Sequence, residues 1–188
     1  MSMDEAIVER GEREAERGEL DLRELEPLGS WRRTHTSGEL RAGAVGRTVT
    51  LLGWVHRLRD HGGVKFVDLR DRHGITQVVF RPEHVPPAVM ARAALLRQEF
   101  VIGARGEVVA RPAGAENSDM PTGAIEVQAR ELVLLNRSLP PPFAIADDDP
   151  QVSEDLRLRY RYLELRTERL QSVLVLRHRL VAAVRRSL

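Results

Sequence analysis

Phe66 and Gln77 are residues that could bind a nucleotide base, because each lies among charged residues in a segment that alternates like a strand. In residues 64–70, Phe66 shares one face with charged side chains, while aliphatic residues occupy the other. In residues 75–81, Gln77 shares its face with Arg81. An exposed ring stacks on bases, arginines attract phosphate, and an amide hydrogen-bonds to base edges. This combination predicts a site for single-stranded nucleic acid.

The opposite orientation of Phe66 is also compatible with the alternation. An aromatic residue in a strand usually belongs to the core, where it buries a large apolar area. A shift of register by one residue would turn Phe66 inward together with every other side chain on its face. The pattern alone therefore leaves both orientations open.

The strands that would position these residues are separated by turn signals at His61-Gly62-Gly63 and at residues 71–74. Gly53 lies inside the first strand, where it would allow a sharp bend. The sequence predicts strands over 48–59, 64–70 and 75–81, a short helix over 88–98, and strands over 100–111, interrupted by glycines, and 124–135. Five strands with one short helix in this order predict an all-β OB-fold barrel.

The last strand and the short helix each have a predicted apolar face. In the last strand Ile125 and Val127 point one way, and Glu126 points the other. Val89, Ala93 and Leu96 form one apolar stripe on the short helix, which we expect to close one end of the barrel.

Composition excludes several classes of protein. The 188 residues contain no cysteine, which rules out disulfides, thiolate metal sites and cysteine nucleophiles. No apolar run reaches the roughly 18 residues of a membrane span and no signal peptide opens the chain, so we expect a soluble, cytoplasmic protein. Residues 1–30 hold ten acids and four arginines, or −6, so the total of +1 leaves +7 for the remainder. A mildly basic body is compatible with a nucleic-acid partner.

Beyond the barrel, the sequence predicts a linker followed by a helix. Pro140-Pro141-Pro142 stiffens the linker, and the adjacent carboxylates of residues 147–149 are expected to stay solvated, with no metal site. Ser153 is a typical N-cap, and apolar residues then recur at three- and four-residue steps. We expect the apolar face of this helix to need another domain or chain. The predicted division is a charged extension (1–30), the barrel (31–137), a linker (138–166) and the helix (167–188).

Five separate segments occur in the same order in a known family. They are Gly53–Arg57, Phe66–Asp71, Gln77–Phe80, Pro121–Val127 and Leu158–Arg166. With these segments the chain resembles bacterial aspartyl-tRNA synthetases from about Arg33 to Leu188. The resemblance implies an N-terminal OB-fold that binds the tRNA anticodon, then a hinge, then a class II catalytic domain.

The resemblance also implies roles for individual residues. At the family's matching positions, Phe66 would stack on an anticodon base and Gln77 would read an edge of the central uracil. Arg59 and Glu126 would address the first and neighbouring anticodon positions. We further expect phosphate contacts from Arg32, Arg57 and Arg111.

His61 and Gly114 bear on which tRNA is accepted. Family members that charge only the aspartate tRNA commonly have Leu at the position of His61, and those that also charge the asparagine tRNA commonly have His. Gly114 is also of this relaxed type. The resemblance therefore favours tRNA(Asp) together with tRNA(Asn) as partners, although His61 could equally be a simple turn residue.

The family's motifs for ATP and aspartate have no counterpart in this sequence, and Gly62-Gly63 is too short for a phosphate-binding loop. We therefore expect no aminoacylation and no cofactor in this chain, with ATP and Mg²⁺ required only where a catalytic domain follows. A full-length enzyme of the family would be a homodimer. The predicted function is anticodon recognition as the N-terminal part of an aspartate–tRNA ligase; a free-standing OB-fold module for single-stranded RNA or tRNA is the alternative.

Overall fold

The computed structural model describes residues 25–145 and 152–187. The described chain divides into two compact units: one contains a β-barrel and ends at Ser138, and the other begins at Leu139. Most of the predicted charged extension and the acidic residues 147–149 lie outside the described residues. Within the described ranges, no helix combines the length and the apolar character needed to cross a membrane.

Five strands close into a barrel in the order β1-β2-β3-β5-β4. They are β1 (Thr48–His61), β2 (Val64–Asp71), β3 (Gly74–Phe80), β4 (Val101–Ala110) and β5 (Ile125–Asn136). Helix α1 (Pro87–Ala94) lies between β3 and β4. Only β3 and β5 pair in parallel; the other pairs are antiparallel. This arrangement confirms the predicted five-stranded barrel with one short helix.

Strand alternation fills the barrel with aliphatic side chains. Val67 and Leu69 of β2 are fully buried in the core, as are Ile125 and Val127 of β5. Phe66 directly precedes Val67, so its side chain lies on the opposite, outer face, where it is half-buried. The outward orientation of Phe66 is therefore the one that the barrel adopts, because turning it inward would expel Val67 and Leu69.

A β-bulge at His56 reverses the faces of β1. Val55 and Arg57 lie opposite consecutive residues of β2, so His56 is an extra residue in the strand. Before the bulge Val55 points into the core; after it Leu58 packs against the core and Arg59 points outward. Without the bulge, Arg59 would share the inward face of Val55. The sequence analysis did not predict this feature.

Two glycines allow strands to approach closely. A Cβ atom at Gly53 would lie 2.3 Å from the carbonyl oxygen of Arg70, and one at Gly106 would lie 2.2 Å from that of Gln128. Gly53 lies where β1 passes from pairing with β4 to pairing with β2. The predicted interruption of the fourth strand is wrong, because β4 runs continuously, with two register shifts against β5, one between Val101 and Ile102 and one between Arg105 and Gly106.

Helix α1 begins as predicted and ends earlier than predicted. Pro86 is the N-cap and Pro87 the first helical residue, but the helix stops at Ala94 rather than Gln98. The chain must turn into β4, and Glu99 adopts a φ of 65°, a left-handed backbone conformation that is incompatible with a right-handed α-helix. The backbone N–H of Glu99 donates to the carbonyl oxygen of Val55 at 2.7 Å. The apolar stripe still reaches the core, because Ala93 and Leu96 are buried there and Val89 packs against them.

Among its described residues the second unit has three helices: α2 (Glu154–Arg159), α3 (Arg161–Glu164) and α4 (Glu168–Ser187). The hydroxyl of Ser153 accepts a hydrogen bond from the backbone N–H of Leu156 at 3.3 Å, which confirms the predicted N-cap. The segment predicted as a linker thus includes two short helices. None of the described residues of α4 is buried.

Candidate nucleic-acid interface

Phe66 lies at the centre of a polar patch on the outer face of the barrel. Its β-sheet neighbours are Arg59 on β1 and Val79 on β3. Val79 is fully buried, so the sheet beside Phe66 is closely packed, while the Phe66 ring itself remains half-exposed. A half-exposed ring on a rigid sheet is the feature on which RNA-binding sheets stack bases.

Two side chains border the Phe66 ring. The His61 ring meets it edge-on, with ring centroids 5.9 Å apart and an interplanar angle of 70°. The guanidinium carbon of Arg81 lies 6.0 Å from the ring centroid. An aromatic ring held between an imidazole and a cation has little freedom to rotate, and it offers a preformed stacking surface.

Gln77 lies next to this ring, directly opposite Asp68 in the β2–β3 register. The residue is only 6% exposed, and none of the described residues hydrogen-bonds to its side-chain amide. An amide in this position can donate from its nitrogen and accept on its oxygen, which suits the edge of a base that reaches into the patch.

Two ion pairs neutralise the acidic groups of the patch. Arg59 lies 3.1 Å from a carboxylate oxygen of Asp68, and Arg81 lies 2.8 Å from one of Glu126. Both carboxylates are almost completely buried, so each needs a cation to offset the loss of hydration. The pairs hold both carboxylates in fixed orientations at the surface where a base would dock.

Arg111 contributes an unused hydrogen-bond donor. Its Nε donates to the carbonyl oxygen of Ile125 at 3.0 Å, but its buried Nη2 has no acceptor among the described residues. Burial lowers the pKa of Arg111, while the nearby carboxylates of Glu126 and Asp68 oppose that change. A buried donor without a partner costs about 1–3 kcal/mol, and an acceptor on a bound nucleotide would remove that cost.

The remaining predicted phosphate contacts are distributed differently. Arg57 is exposed on the outer face of β1, opposite Asp68, and so belongs to the same patch. Arg32 instead donates to the carbonyl oxygens of Gly29 and Trp31, at 3.0 and 2.8 Å. The chain beside it hydrogen-bonds to the first half of β1, before the bulge. The structure does not bring Arg32 into the patch.

Arg81 was missed as a site residue by the sequence analysis. The alternation places it on the face of Gln77, which was the only available signal. Its partner Glu126 is 45 residues further along the chain, and the pair forms only because β3 and β5 lie side by side. Arg70, which shares the outer face of β2, pairs with Glu99 at 2.9 Å and contacts His56, so its charge serves the barrel itself.

Comparison with known proteins concerns the barrel that carries this patch. The model of the tRNA anticodon family, an OB-fold nucleic acid binding domain, matches residues 49–135. The aspartate–tRNA(Asp/Asn) ligase of Desulfatibacillum aliphaticivorans is 53% identical over 158 residues, which are 84% of this chain and 26% of that protein. The same ligase of Rubrobacter xylanophilus is 56% identical over 156 residues, 83% of this chain and 26% of that protein. The chain thus spans about a quarter of the length of these curated relatives.

Solved structures show the same likeness. Asparaginyl-tRNA synthetase from Pyrococcus horikoshii superposes with a TM-score of 0.68 at 26% identity, covering 82% of this chain and 33% of that one. OBody AM3L09, solved bound to hen egg-white lysozyme, matches with a TM-score of 0.51 at 27% identity and covers 58% of this chain and 100% of that one. A barrel of this kind therefore exists as a complete chain in a solved structure.

Proposed function

Because the chain carries a tRNA anticodon OB-fold domain and resembles the N-terminal portion of aspartate–tRNA(Asp/Asn) ligases, we propose that its barrel binds the anticodon of tRNA. One observation carries the proposal: a half-exposed Phe66 ring on the outer face is surrounded by Arg59, Gln77 and Glu126. A stacking surface, a base-reading amide and a charged carboxylate thus meet within one patch.

The middle base of the anticodon is read by Gln77. Uracil offers an N–H donor beside carbonyl acceptors, and the side-chain amide of Gln77 carries one acceptor and one donor group that complement them. Phe66, on the neighbouring strand, supplies the surface on which an anticodon base stacks. A cytosine in the middle position reverses this order of donor and acceptor, so it can pair only if the amide of Gln77 turns over.

The first anticodon base is addressed by Glu126 together with Arg59 and Arg111. Guanine presents two adjacent N–H donors on its base-pairing edge, and a fixed carboxylate can accept both. The spare Nη2 of Arg111 lies in the electrostatic neighbourhood of Glu126 and can donate to a base carbonyl or a phosphate oxygen. Arg57 and the exposed side of Arg59 are positioned to attract the backbone.

Both tRNA(Asp) and tRNA(Asn) are the partners of this patch. Their anticodons share the first two bases and end in C or U, which differ only at the base edge. His61 is exposed in the turn between β1 and β2, and its imidazole can donate from one nitrogen and accept on the other. Either pyrimidine therefore finds a complementary group.

Aminoacylation is the task of a full-length ligase that contains a portion of this kind. It needs a class II catalytic domain that uses ATP and Mg²⁺, and that enzyme acts as a homodimer. In such an enzyme the barrel selects the tRNA and the catalytic domain attaches the amino acid. The share of the relatives' length that this chain matches, 26%, supports assigning it the selection step alone.

The test is binding of the purified chain to anticodon stem-loops of matched length. Loops with GUC and GUU anticodons should bind with similar affinity, and replacing the central U by A should weaken binding about tenfold or more, because the edge of the larger purine does not fit where a pyrimidine edge meets Gln77 and an unpaired buried polar group costs about 1–3 kcal/mol. Equal affinity for all three loops would instead support a general module for single-stranded RNA.

A further inference from the structure

We propose that Arg81 is a positioning residue of the anticodon site, fixing Phe66 and Glu126 in the geometry that a base requires. This inference rests on the proposed function of the patch. Arg81 follows the last residue of β3 and lies between β2, which carries Phe66, and β5, which carries Glu126. Its guanidinium contacts both, at 6.0 Å from the ring centroid and 2.8 Å from the carboxylate.

The carboxylate of Glu126 depends on this contact. Its side chain is 5% exposed, so the carboxylate has lost most of its hydration, and the guanidinium of Arg81 at 2.8 Å offsets that loss. A carboxylate that moved away from this position could no longer accept two hydrogen bonds from a base. Arg81 therefore keeps the carboxylate of Glu126 in place.

The ring of Phe66 depends on the same guanidinium. His61 supports the ring at one edge, and Arg81 borders it from the side of β3. A ring already held in its binding orientation loses less conformational entropy when a base stacks on it. One side chain thus couples stacking at Phe66 to hydrogen bonding at Glu126.

A phosphate contact is the competing role for an arginine at this place. Two observations disfavour it: the charge of Arg81 is already neutralised by Glu126, and its side chain is 23% exposed, against 44% for Arg59. An arginine that binds phosphate contributes to the salt dependence of binding, whereas one that acts through its neighbours does not. Salt dependence therefore separates the two roles.

The experiment compares Arg81→Gln with a control that loses the same kinds of contact elsewhere on the barrel. Arg105 lies 4.7 Å from the Trp31 ring centroid and 3.1 Å from Glu131, so Arg105→Gln also removes one charge, one cation–π contact and one ion pair. Affinity for a GUC stem-loop is measured across a salt series. We expect Arg81→Gln to weaken binding about tenfold with an unchanged salt slope, since two side chains lose their preorganisation. Arg105→Gln should stay within about twofold of the parent chain.

Two further variants test the coupling. Arg81→Lys keeps the charge without the planar fork, so we expect it to restore part of the lost affinity. The double variant Arg81→Gln/Glu126→Gln should lose much less binding free energy than the sum of the losses in the two single variants, because both changes remove the same contact. Additive losses, or a salt slope lowered by about one unit, would overturn the inference in favour of a direct phosphate contact.

The outcomes for the parent chain keep the two proposals apart. If the parent chain fails to prefer the GUC loop over a loop with a changed central base, the proposed function fails. If the parent chain shows that preference and Arg81→Gln binds as tightly as the parent chain, the anticodon site stands and the positioning role of Arg81 is excluded.

Discussion

The barrel and helix α4 both carry regular apolar patterns, but only the barrel buries its pattern within the described chain. Leu69 in β2 is fully buried, whereas Leu176 in α4 is 69% exposed. Strands that close on one another satisfy their own apolar faces, while a single amphipathic helix cannot do so. The periodicity of apolar residues thus predicts which face of a strand or helix must be buried, but it does not predict which other part of the structure buries it.

Truncating one leucine in each region tests this difference, and the larger change in stability is expected in the barrel. Leu69→Ala should lower the free energy of unfolding by about 2–5 kcal/mol, because it leaves a cavity in the closed core. Leu176→Ala removes the same atoms from an exposed position and should change it by no more than about 0.5 kcal/mol. Urea unfolding followed by far-UV circular dichroism, which reports on both strands and helices, measures both. A comparable loss from Leu176→Ala would mean that α4 is buried in solution.

A second pair of variants applies the comparison within the barrel, between its outer and inner faces. Phe66→Ala should weaken tRNA binding by about 1–3 kcal/mol, the usual value of a stacked base, and leave the unfolding transition nearly unchanged. Phe80→Ala, at a fully buried position, should destabilise the fold by about 3–5 kcal/mol. Binding titrations and thermal unfolding separate the effects. A collapse of the melting temperature in Phe66→Ala would show that this ring supports the core.

The uninterrupted alternation of β2 predicted which residues share a face with Phe66, but the pattern left open which face points outward; closure of the barrel, which buries Val67 and Leu69, decides that. The position of Arg59 could not be derived from alternation, since the bulge at His56 inserts one residue and exchanges the faces of β1. The end of α1 depends on the left-handed backbone of Glu99, which meets β1 through a tertiary hydrogen bond. Local pattern thus predicted the strands, while contacts between distant segments decided the irregular positions that complete the patch.

A smaller effect is expected in the helical unit, where few buried contacts reinforce the helices. Ser153→Ala removes the hydroxyl that caps α2 and should cost this helix about 1 kcal/mol. Hydrogen exchange of the first amides of α2 should accelerate, while the exchange of β2 amides and tRNA affinity stay unchanged. Ser153→Asp, which restores a capping oxygen, serves as the control. Weaker binding of tRNA by Ser153→Ala would instead show that this unit takes part in recognition.

The smallest expected difference concerns the discrimination between C and U at the third anticodon position. Stacking cannot separate two pyrimidines, so the choice is made at the base edge, where C offers an amino donor and U a carbonyl acceptor. His61 is exposed, and Gly62 and Gly63 beside it have φ values of 60° and 85° with open space around them. A turn of this kind constrains the nucleotide weakly, and the imidazole can pair with either base.

The parent chain should therefore bind the aspartate and asparagine tRNAs within about tenfold of each other, a difference below ~1.4 kcal/mol. His61→Leu removes the adaptable ring and should widen the gap in favour of the aspartate tRNA. Both transcripts are titrated against the parent chain and the mutant at one salt concentration, because phosphate contacts make affinities depend on salt. Leu176→Ala is the control in the helical unit and should leave the ratio unchanged, since the comparison assigns recognition to the barrel alone. A parent chain that already prefers the C-ending anticodon a hundredfold would refute the role of His61.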